Sequence, residues 1–403
     1  MANTLKFIDM VANEALAIAH EQSSLISTVD RQYDDNYAKS GAKIGDTLRV
    51  RSPNKFKTRS GNAMDVQDIT EATQNITLAT LLGVDMRFDH VDLTLKTDDP
   101  SQVAAFSKRY IEPAMSTLIS NIEYNAMAYY TKATYNVAGA VAAITSLTTP
   151  NLARAKLNQN LAPKSDRCVQ MDSVTMASLV GGVAAYFNPA NVIGEQYREG
   201  LVARTSMADY YENERVWTLP NTSDLTGAAI NNGTLTNGIT AITVDGLSVA
   251  PVEGMVFTIA GLYDVHPETK QAYGHLKQFV CSSGCTTTNI AFSPAIYFST
   301  TDARQNTSGT PENDDALVFV GAESASYVQP IMYHKEAFQF VTADLPLVAG
   351  ADQCSRKSMD GLSLRVWMDG DIKNNALLCR IDILHGYAAL RPEWASRMMT
   401  VAS

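Results

Sequence analysis

Ile239-Thr240-Ala241-Ile242-Thr243-Val244 and, further on, Val256-Phe257-Thr258-Ile259 alternate along the chain with a period of two. That is the pattern of short, half-buried β-strands. Both lie in a stretch, Leu219–Ile331, that is rich in Thr, Asn, Gly and Ser, and whose only basic residues are Lys270, Lys277 and Arg304. Helix-like and mixed segments flank it. The chain therefore reads as an α+β body into which an all-β module, residues 219–331, has been inserted. An insertion of this kind adds a surface, and function has to be argued from surfaces and sites, not from fold class.

The 403 residues are enough for two or three domains with substantial cores. A net charge of −10 argues against a nucleic-acid grip spread over the whole surface, though not against a local basic patch. No apolar run approaches the length of a membrane-spanning helix. Met1-Ala2-Asn3-Thr4-Leu5-Lys6 lacks the basic and apolar regions of a signal peptide, so the expectation is a protein that stays where it is made. Five scattered cysteines, Cys168, Cys281, Cys285, Cys354 and Cys379, fit reduced thiols better than a disulfide framework.

Outward from the module, residues 4–20 place Leu5, Ile8, Val11, Ala12, Ala15, Leu16 and Ala19 on one stripe of an amphipathic helix. Such a helix is marginal alone and must dock on its own body or on a neighbour. Gly45–Pro53 and Asn75–Leu95 read as the limbs of a long two-stranded ribbon with a loose tip. The first limb is basic (Arg49, Arg51, Lys55, Lys57, Arg59), and Asp65, Asp68, Glu71, Asp85, Asp89 and Asp92 make the second acidic. Two readings stand side by side: cross-strand pairing within the ribbon, or complementary contact with another subunit. Asp98-Asp99-Pro100-Ser101 is a helix start. Val103, Phe106, Tyr110, Ala114, Leu118, Ile122, Ala126 and Tyr129 then suggest one long helix, with a kink or a split expected at Pro113. Further expectations are a helix from Thr149-Pro150 carrying Leu152, Leu157 and Leu161, a buried strand Arg167–Met171, and a helix capped by Asp172 or Ser173. Gly181-Gly182 in that helix reads as a tight packing site. Strands are expected at 336–342, 361–367 and 377–384.

No catalytic constellation emerges. There is no phosphate-binding glycine loop and no nucleophile elbow, and the histidines are dispersed. Asp369-x-Asp371-x-x-Asn374 begins like a calcium loop but lacks its glycine and its closing Glu, so it reads as a turn. Cys281 and Cys285, with His266 and His275 upstream, do not have zinc-ribbon spacing, and Ser282-Ser283-Gly284 between them suits a hairpin turn. No catalytic residue, metal site or cofactor is expected.

Three segments carry a family resemblance. Leu378-Cys379-Arg380-Ile381-Asp382-Ile383-Leu384-His385-Gly386-Tyr387 with Arg391-Pro392-Glu393 is one. Gly254-Met255-Val256-Phe257-Thr258-Ile259-Ala260-Gly261 is the second, and Glu199-Gly200-Leu201-Val202 leading to Tyr210-Tyr211 and Leu219-Pro220 the third. With the order of parts, they make the chain resemble the major coat proteins of short-tailed double-stranded DNA phages of the Salmonella temperate type. Those proteins share the tailed-phage and herpesvirus capsid fold. The resemblance implies an N-terminal arm (1–40), an extended loop (41–96), a spine helix (97–135), axial and peripheral body (136–218 and 332–403) and an inserted β-barrel (219–331). It implies a structural protein that self-assembles into the hexamers and pentamers of an icosahedral shell, first as a procapsid, in the bacterial host cytoplasm and then in the virion. Scaffolding protein and portal would be partners, packaged double-stranded DNA would be touched weakly, and no membrane would be involved. Arg49, Arg51, Lys55, Lys57, Arg59, Asp65, Asp68 and Glu71 become candidates for inter-subunit contact, and Pro113 for a hinge. The segment before Gly254 is shorter than the family's. Two alternatives remain open: a compartment shell of the same fold, similar to encapsulins, and a carbohydrate-active enzyme with an appended β-module.

Overall fold

The computed structural model describes residues 7–34, 47–51, 54–59, 61–62, 64, 66, 73–78, 80–89, 107–183, 207–233, 235–348, 353–359, 361–371, 373 and 376–401. The expected helix start at Asp98–Ser101, the end of the helix near Phe187 and the Glu199–Val202 segment lie outside them. The fold is mixed α+β and divides into two compact units. One draws on residues 1–50, 73–126 and 339–388, the other on 51–72, 127–338 and 389–403.

The first unit is organised by the strand Ala376–Ala389, which begins as an uninterrupted apolar run and uses both of its edges. Arg365–Asp371 pairs antiparallel along one edge and Thr80–His385 register fixes Thr80–Asp89 along the other. The sheet continues through Gln353–Met359 on one side and, through Phe338–Ala343, to Asp30–Asp34 on the other. Asp30–Asp34 runs parallel to Gln339–Ala343. The helix Phe7–Gln22 packs on the hairpin 353–371 with Ala12, Ala15, Leu16 and Ala19 buried. The N-terminal helix thus docks on its own chain. The next short helix, Leu25–Thr28, leaves amide hydrogens without intrahelical partners at its start. The fully buried Glu123 carboxylate accepts them, from Leu25 N at 2.9 Å and Ile26 N at 3.3 Å.

The expected ribbon is corrected here. Thr47–Arg51 does pair with Thr73–Thr77. The chain then leaves that pair, and Val84 and Met86 face Ile381 and Cys379 of the long strand, not the ribbon's first limb. A fourteen-residue strand offers more partner length than a free hairpin can.

At the centre of this sheet stands Asp382, fully buried. Arg365 Nη2 and Arg380 Nε each reach its carboxylate at 2.7 Å. Opposite it is Gly83, where a Cβ would lie 2.6 Å from Asp382 Oδ1 and from the Ile381 carbonyl. A side chain at position 83 would push the carboxylate off its arginines.

The long helix is Glu112–Ala133, preceded by a single π-type turn, Ser107–Ile111. Pro113 therefore sits where the π-type turn passes into the α-helix, so its missing amide hydrogen falls at the change of hydrogen-bonding pattern and not in the middle of the α-helix. The expected apolar stripe also shifts. Leu118, Ile122 and Ala126 are buried, but Tyr110 and Tyr129 are exposed, and the buried face is completed by Ile111, Met115, Ile119, Met127 and Tyr130. Steps of four residues alone drift around a helix with 3.6 residues per turn. A buried stripe alternates threes and fours.

In the second unit, Arg167–Met171 is a wholly buried strand, antiparallel to Ile331–His334 and parallel to Asp209–Glu212. Helices Thr148–Gln159 and Ser173–Val183 pack their Ala153, Leu157, Met176 and Leu179 on it. Leu152 and Leu161, expected on that face, are exposed. Asp172 caps the second helix, its Oδ2 accepting from Thr175 N at 3.0 Å. Gly182 is the packing glycine, since a Cβ there would meet the Thr145 carbonyl at 1.7 Å, whereas Gly181 faces open space.

The module's ends lie side by side: Thr218–Pro220 pairs antiparallel with Ser326–Val328. Between them the strands Val256–Val265, Ala272–Cys281, Asn289–Ile296, Ile239–Asp245 and Ala229–Ile230 follow one another across a sheet, and Leu317–Phe319 pairs with the first of these. Ile230 N donates to Asp315 O at 3.0 Å and Leu317 N to Ala228 O at 2.8 Å, so the ring closes into a barrel. Phe257, Phe279, Phe292 and Phe319 fill it, with ring centroids between 5.4 and 5.9 Å apart. Ile331, assigned to the module from sequence, already belongs to the body strand.

Three outcomes follow from the first unit. Asp382→Ala, by leaving two guanidiniums without their shared carboxylate, is expected to cost about 3–5 kcal/mol in denaturant unfolding, and Gly83→Ala is expected to lower stability in the same assay. His385 is fully buried between Phe340 and Tyr387, and burial pushes its imidazole down to about 4. The unfolded imidazole titrates near 6.5, so between those values the unfolded chain holds the extra proton and folding weakens as pH falls. His385→Phe is expected to remove most of a loss of up to about 3 kcal/mol between pH 6.5 and 4, read from urea titrations.

Candidate functional site

Residues 54–66 are an unusual surface. Among the described positions, Lys55, Phe56, Lys57, Thr58, Arg59, Met64 and Val66 are all exposed. Phe56 is 60% exposed, Met64 83% and Val66 75%. Large apolar side chains at such exposures, set among cations, have the composition of a surface that meets another.

This strip lies against the barrel of its own unit. Lys57 Nζ donates to the Thr300 carbonyl, and Arg59 Nη1 to the Gly61 carbonyl. Beside it stands Lys270, whose Nζ donates to Gln305 O at 3.1 Å. Burial first, and then the charges of Lys55 and Lys57, hold Lys270 down to about 8 against the pull of Asp302. Asp302 is itself held by Arg304 at 3.0 Å and accepts from Asn237 at 2.9 Å. The basic limb and the barrel loop 297–305 together make one cationic and apolar surface.

Of the eight contact candidates, Lys55, Lys57 and Arg59 come together here. Arg49 and Arg51 lie in the strand Thr47–Arg51, but their side chains are outside the described residues, as are Asp65, Asp68 and Glu71. The acidic partner that can be followed is Asp85, which pairs with Arg380 of the long strand at 3.6 Å. Sequence reasoning missed Lys270 and the apolar residues of the strip. The signals were present: Lys270 is one of three cations in the module, and Phe56, Met64 and Val66 interrupt an otherwise polar tip.

Among the described residues no group of three or more His, Cys, Asp or Glu side chains is placed to hold a metal. His275 Nε2 instead lies 3.5 Å from Asp264 Oδ2, and Lys277 Nζ meets the same carboxylate at 2.9 Å. Burial alone would raise the Asp264 carboxyl, but these two partners hold it down to about 2. A cavity of about 400 Å³ lies on the first unit's sheet, lined by Met86, Arg87, Trp367, Leu378 and Cys379 together with Asp85 and Asp369. Its carboxylates are solvated: the Asp85 side chain is 75% exposed and Asp369 is exposed. A buried, water-shielded acid, which glycoside cleavage draws on, is not among these two.

The Lys270 environment has a direct readout. At pH 8 Lys270 is expected to acylate faster than the exposed lysines, because about half of it is neutral there. Replacing Lys55 and Lys57 with Ala is expected to slow that acylation by raising the Lys270 pKa, as peptide mapping after brief acetic anhydride treatment would report.

Residues 220–400 match a family model described as P22 coat protein - gene protein 5. The matched stretch begins at the last residue of the strand Thr218–Pro220 and holds the barrel, the strand Ser326–Val328, the long strand 376–389 and the closing segment to Thr400. No curated protein matches the chain. Among solved structures, one from Mycobacterium phage Che8 is 9% identical, with TM-score 0.48 and coverage of 93% of this chain and 91% of that one. The capsid of the cyanophage P-SCSP1u is 13% identical, with TM-score 0.43 and coverages of 93% and 86%. A virus-like particle from Pyrococcus furiosus is 9% identical, with TM-score 0.41 and coverages of 97% and 98%. It is residues 220–400, from the barrel to the final strands, that are similar to a phage coat protein.

Proposed function

We propose that this chain is the major coat subunit of a tailed double-stranded DNA phage, a structural protein that associates with copies of itself into a closed shell. The observation that carries the reading is the coat-protein match over 220–400. The exposed strip at Lys55–Val66 supports it independently, since Phe56, Met64 and Val66 gain burial only by meeting another surface. In this reading the shell is icosahedral and its subunits form pentamers and hexamers through head-to-tail contacts that close. Each contact is modest, and several per subunit make the whole far more stable than any one. A scaffolding protein and a portal would join during assembly. The acidic balance suits a container that holds packaged DNA loosely. Pro113, at the join of the π-type turn and the long helix, is the proposed hinge between capsomer types.

Sedimentation velocity and negative-stain imaging test this. The protein, expressed alone and with a co-expressed scaffold, is expected to give rings, partial shells or closed shells. A compact monomer under every condition would reject the reading. Phe56→Ser combined with Met64→Ser is expected to reduce the assembled fraction severalfold while leaving monomer stability within about 0.5 kcal/mol, as befits exposed positions. Pro113→Ala is expected to leave the monomer folded and to alter the ratio of shell sizes.

A further inference from the structure

The first unit's sheet carries a recess on one face, where three strands run side by side. Trp367 stands opposite Arg380, and Arg380 opposite Asp85. Two positions along, Asp369 stands opposite Leu378, and Leu378 opposite Arg87. Residues paired across neighbouring strands, and those two apart along one strand, project from the same face. These six side chains therefore share a face, and with Met86 and Cys379 they line the cavity of about 400 Å³. Its apolar part on this face is Trp367 and Leu378, the latter 44% exposed. The rim is charged. Asp85 and Asp369 are both exposed to solvent. Arg380 lies 2.7 Å from the fully buried Asp382 and 3.6 Å from Asp85. The buried carboxylate takes up the charge of Arg380, which leaves Arg87 against two carboxylates and the rim net negative.

The exposed strip has the opposite character. Residues 54–64 hold Lys55, Lys57 and Arg59 and no Asp or Glu, and Phe56 stands between two of the cations. Its ring is 60% exposed. A cavity of ~150 Å³ takes a benzene molecule, so a recess of about 400 Å³ has room for the Phe56 ring. We propose that Phe56 of one copy seats against Trp367 and Leu378 in the recess of a second copy, with Lys55 and Lys57 meeting Asp85 and Asp369 at its rim. This rests on the shell reading and names the surface that the strip meets. Two strips set against each other would bring cations to cations, which disfavours a symmetric dimer through the strip alone. Strip and recess are instead different patches of one chain. Each copy gives a strip and receives one, so the contact is head-to-tail, and a rotation that closes makes a ring. The aromatic ring buries area at the centre of the contact, and the charges around it set orientation and the rate of encounter.

The test uses the full chain. Shells are assembled with scaffold from an equal mixture of unlabelled and heavy-nitrogen-labelled protein, then treated with a carbodiimide, which joins a lysine amine to a carboxylate where the two are already in contact. Peptides joining Lys55 or Lys57 to Asp85 or Asp369 are expected, light–heavy pairs among them, and are expected to be absent from unassembled protein. Leu378→Glu, at a partly exposed position, is expected to lower the assembled fraction severalfold while the urea midpoint of the unassembled protein stays near that of wild type. The proposal is overturned, with the shell reading left standing, if wild-type shells form but yield no such light–heavy peptides, or if Leu378→Glu assembles as well as wild type. A wild-type chain that forms no shells under any condition overturns both.

Discussion

The first unit depends on one buried charge. Asp382 sits at zero exposure in the middle of a sheet, and a lone carboxylate there would be untenable. Arg365 from the neighbouring strand and Arg380 from its own strand neutralise it, and Gly83 on the other flank leaves the space in which the three groups fit. This constraint fixes register. A slip of one residue on either flank would carry an arginine or the glycine to the wrong face. Gly83 and Asp382 are remote in sequence, so the cluster joins distant segments, and the N-terminal strand Asp30–Asp34 extends the same sheet through its pairing with Gln339–Ala343. Removing one member of such a cluster is costly because it leaves its partners buried and uncompensated.

The second unit is organised differently. Its barrel has an apolar centre of four phenylalanines, and its body strand Arg167–Met171 is buried from end to end. Lys277 and Asp264 are buried as a pair, and elsewhere in the unit backbone carbonyls receive a buried charge. Arg167 donates to the Ala162 and Pro163 carbonyls just beyond the helix Thr148–Gln159, at 2.8 and 2.6 Å, and so ties the chain leaving that helix to the buried strand. Gln278 of the barrel exchanges two hydrogen bonds with the Val137 backbone, at 2.9 and 3.2 Å. A side chain that copies a peptide group in this way joins a sheet to an irregular segment without a strand.

Much of the fold was legible because it rests on local chemistry. Alternation marked the barrel strands, Asp172 marked a helix start, and the strand pattern at 377–384 marked the central strand. What failed involved distant partners. Thr80–Asp89 has a good strand pattern, but nothing local says that its partner is Ala376–His385 and not the limb before it. The stripe on Glu112–Ala133 was misplaced in part because a run of steps of four, from Phe106 to Ala126, was followed around the helix. Of the candidate surface, the cations were legible as a run. Their meeting with Lys270 was not, since it is created by the barrel loop 297–305, remote in sequence. Glu123 was invisible for the same reason: a glutamate on a helix looks solvated until the amides of Leu25 and Ile26 arrive over it.

The pairing of Thr218–Pro220 with Ser326–Val328 has an evolutionary consequence. A host that sees only two adjacent strand ends is indifferent to how much chain runs between them. Tips of the barrel can lengthen, shorten or be exchanged wholesale, with only a slowly growing entropic penalty and no rearrangement of the body beneath. The graft is therefore the part of this molecule freest to diverge, and lineages that share the same scaffold can present different outer faces on it.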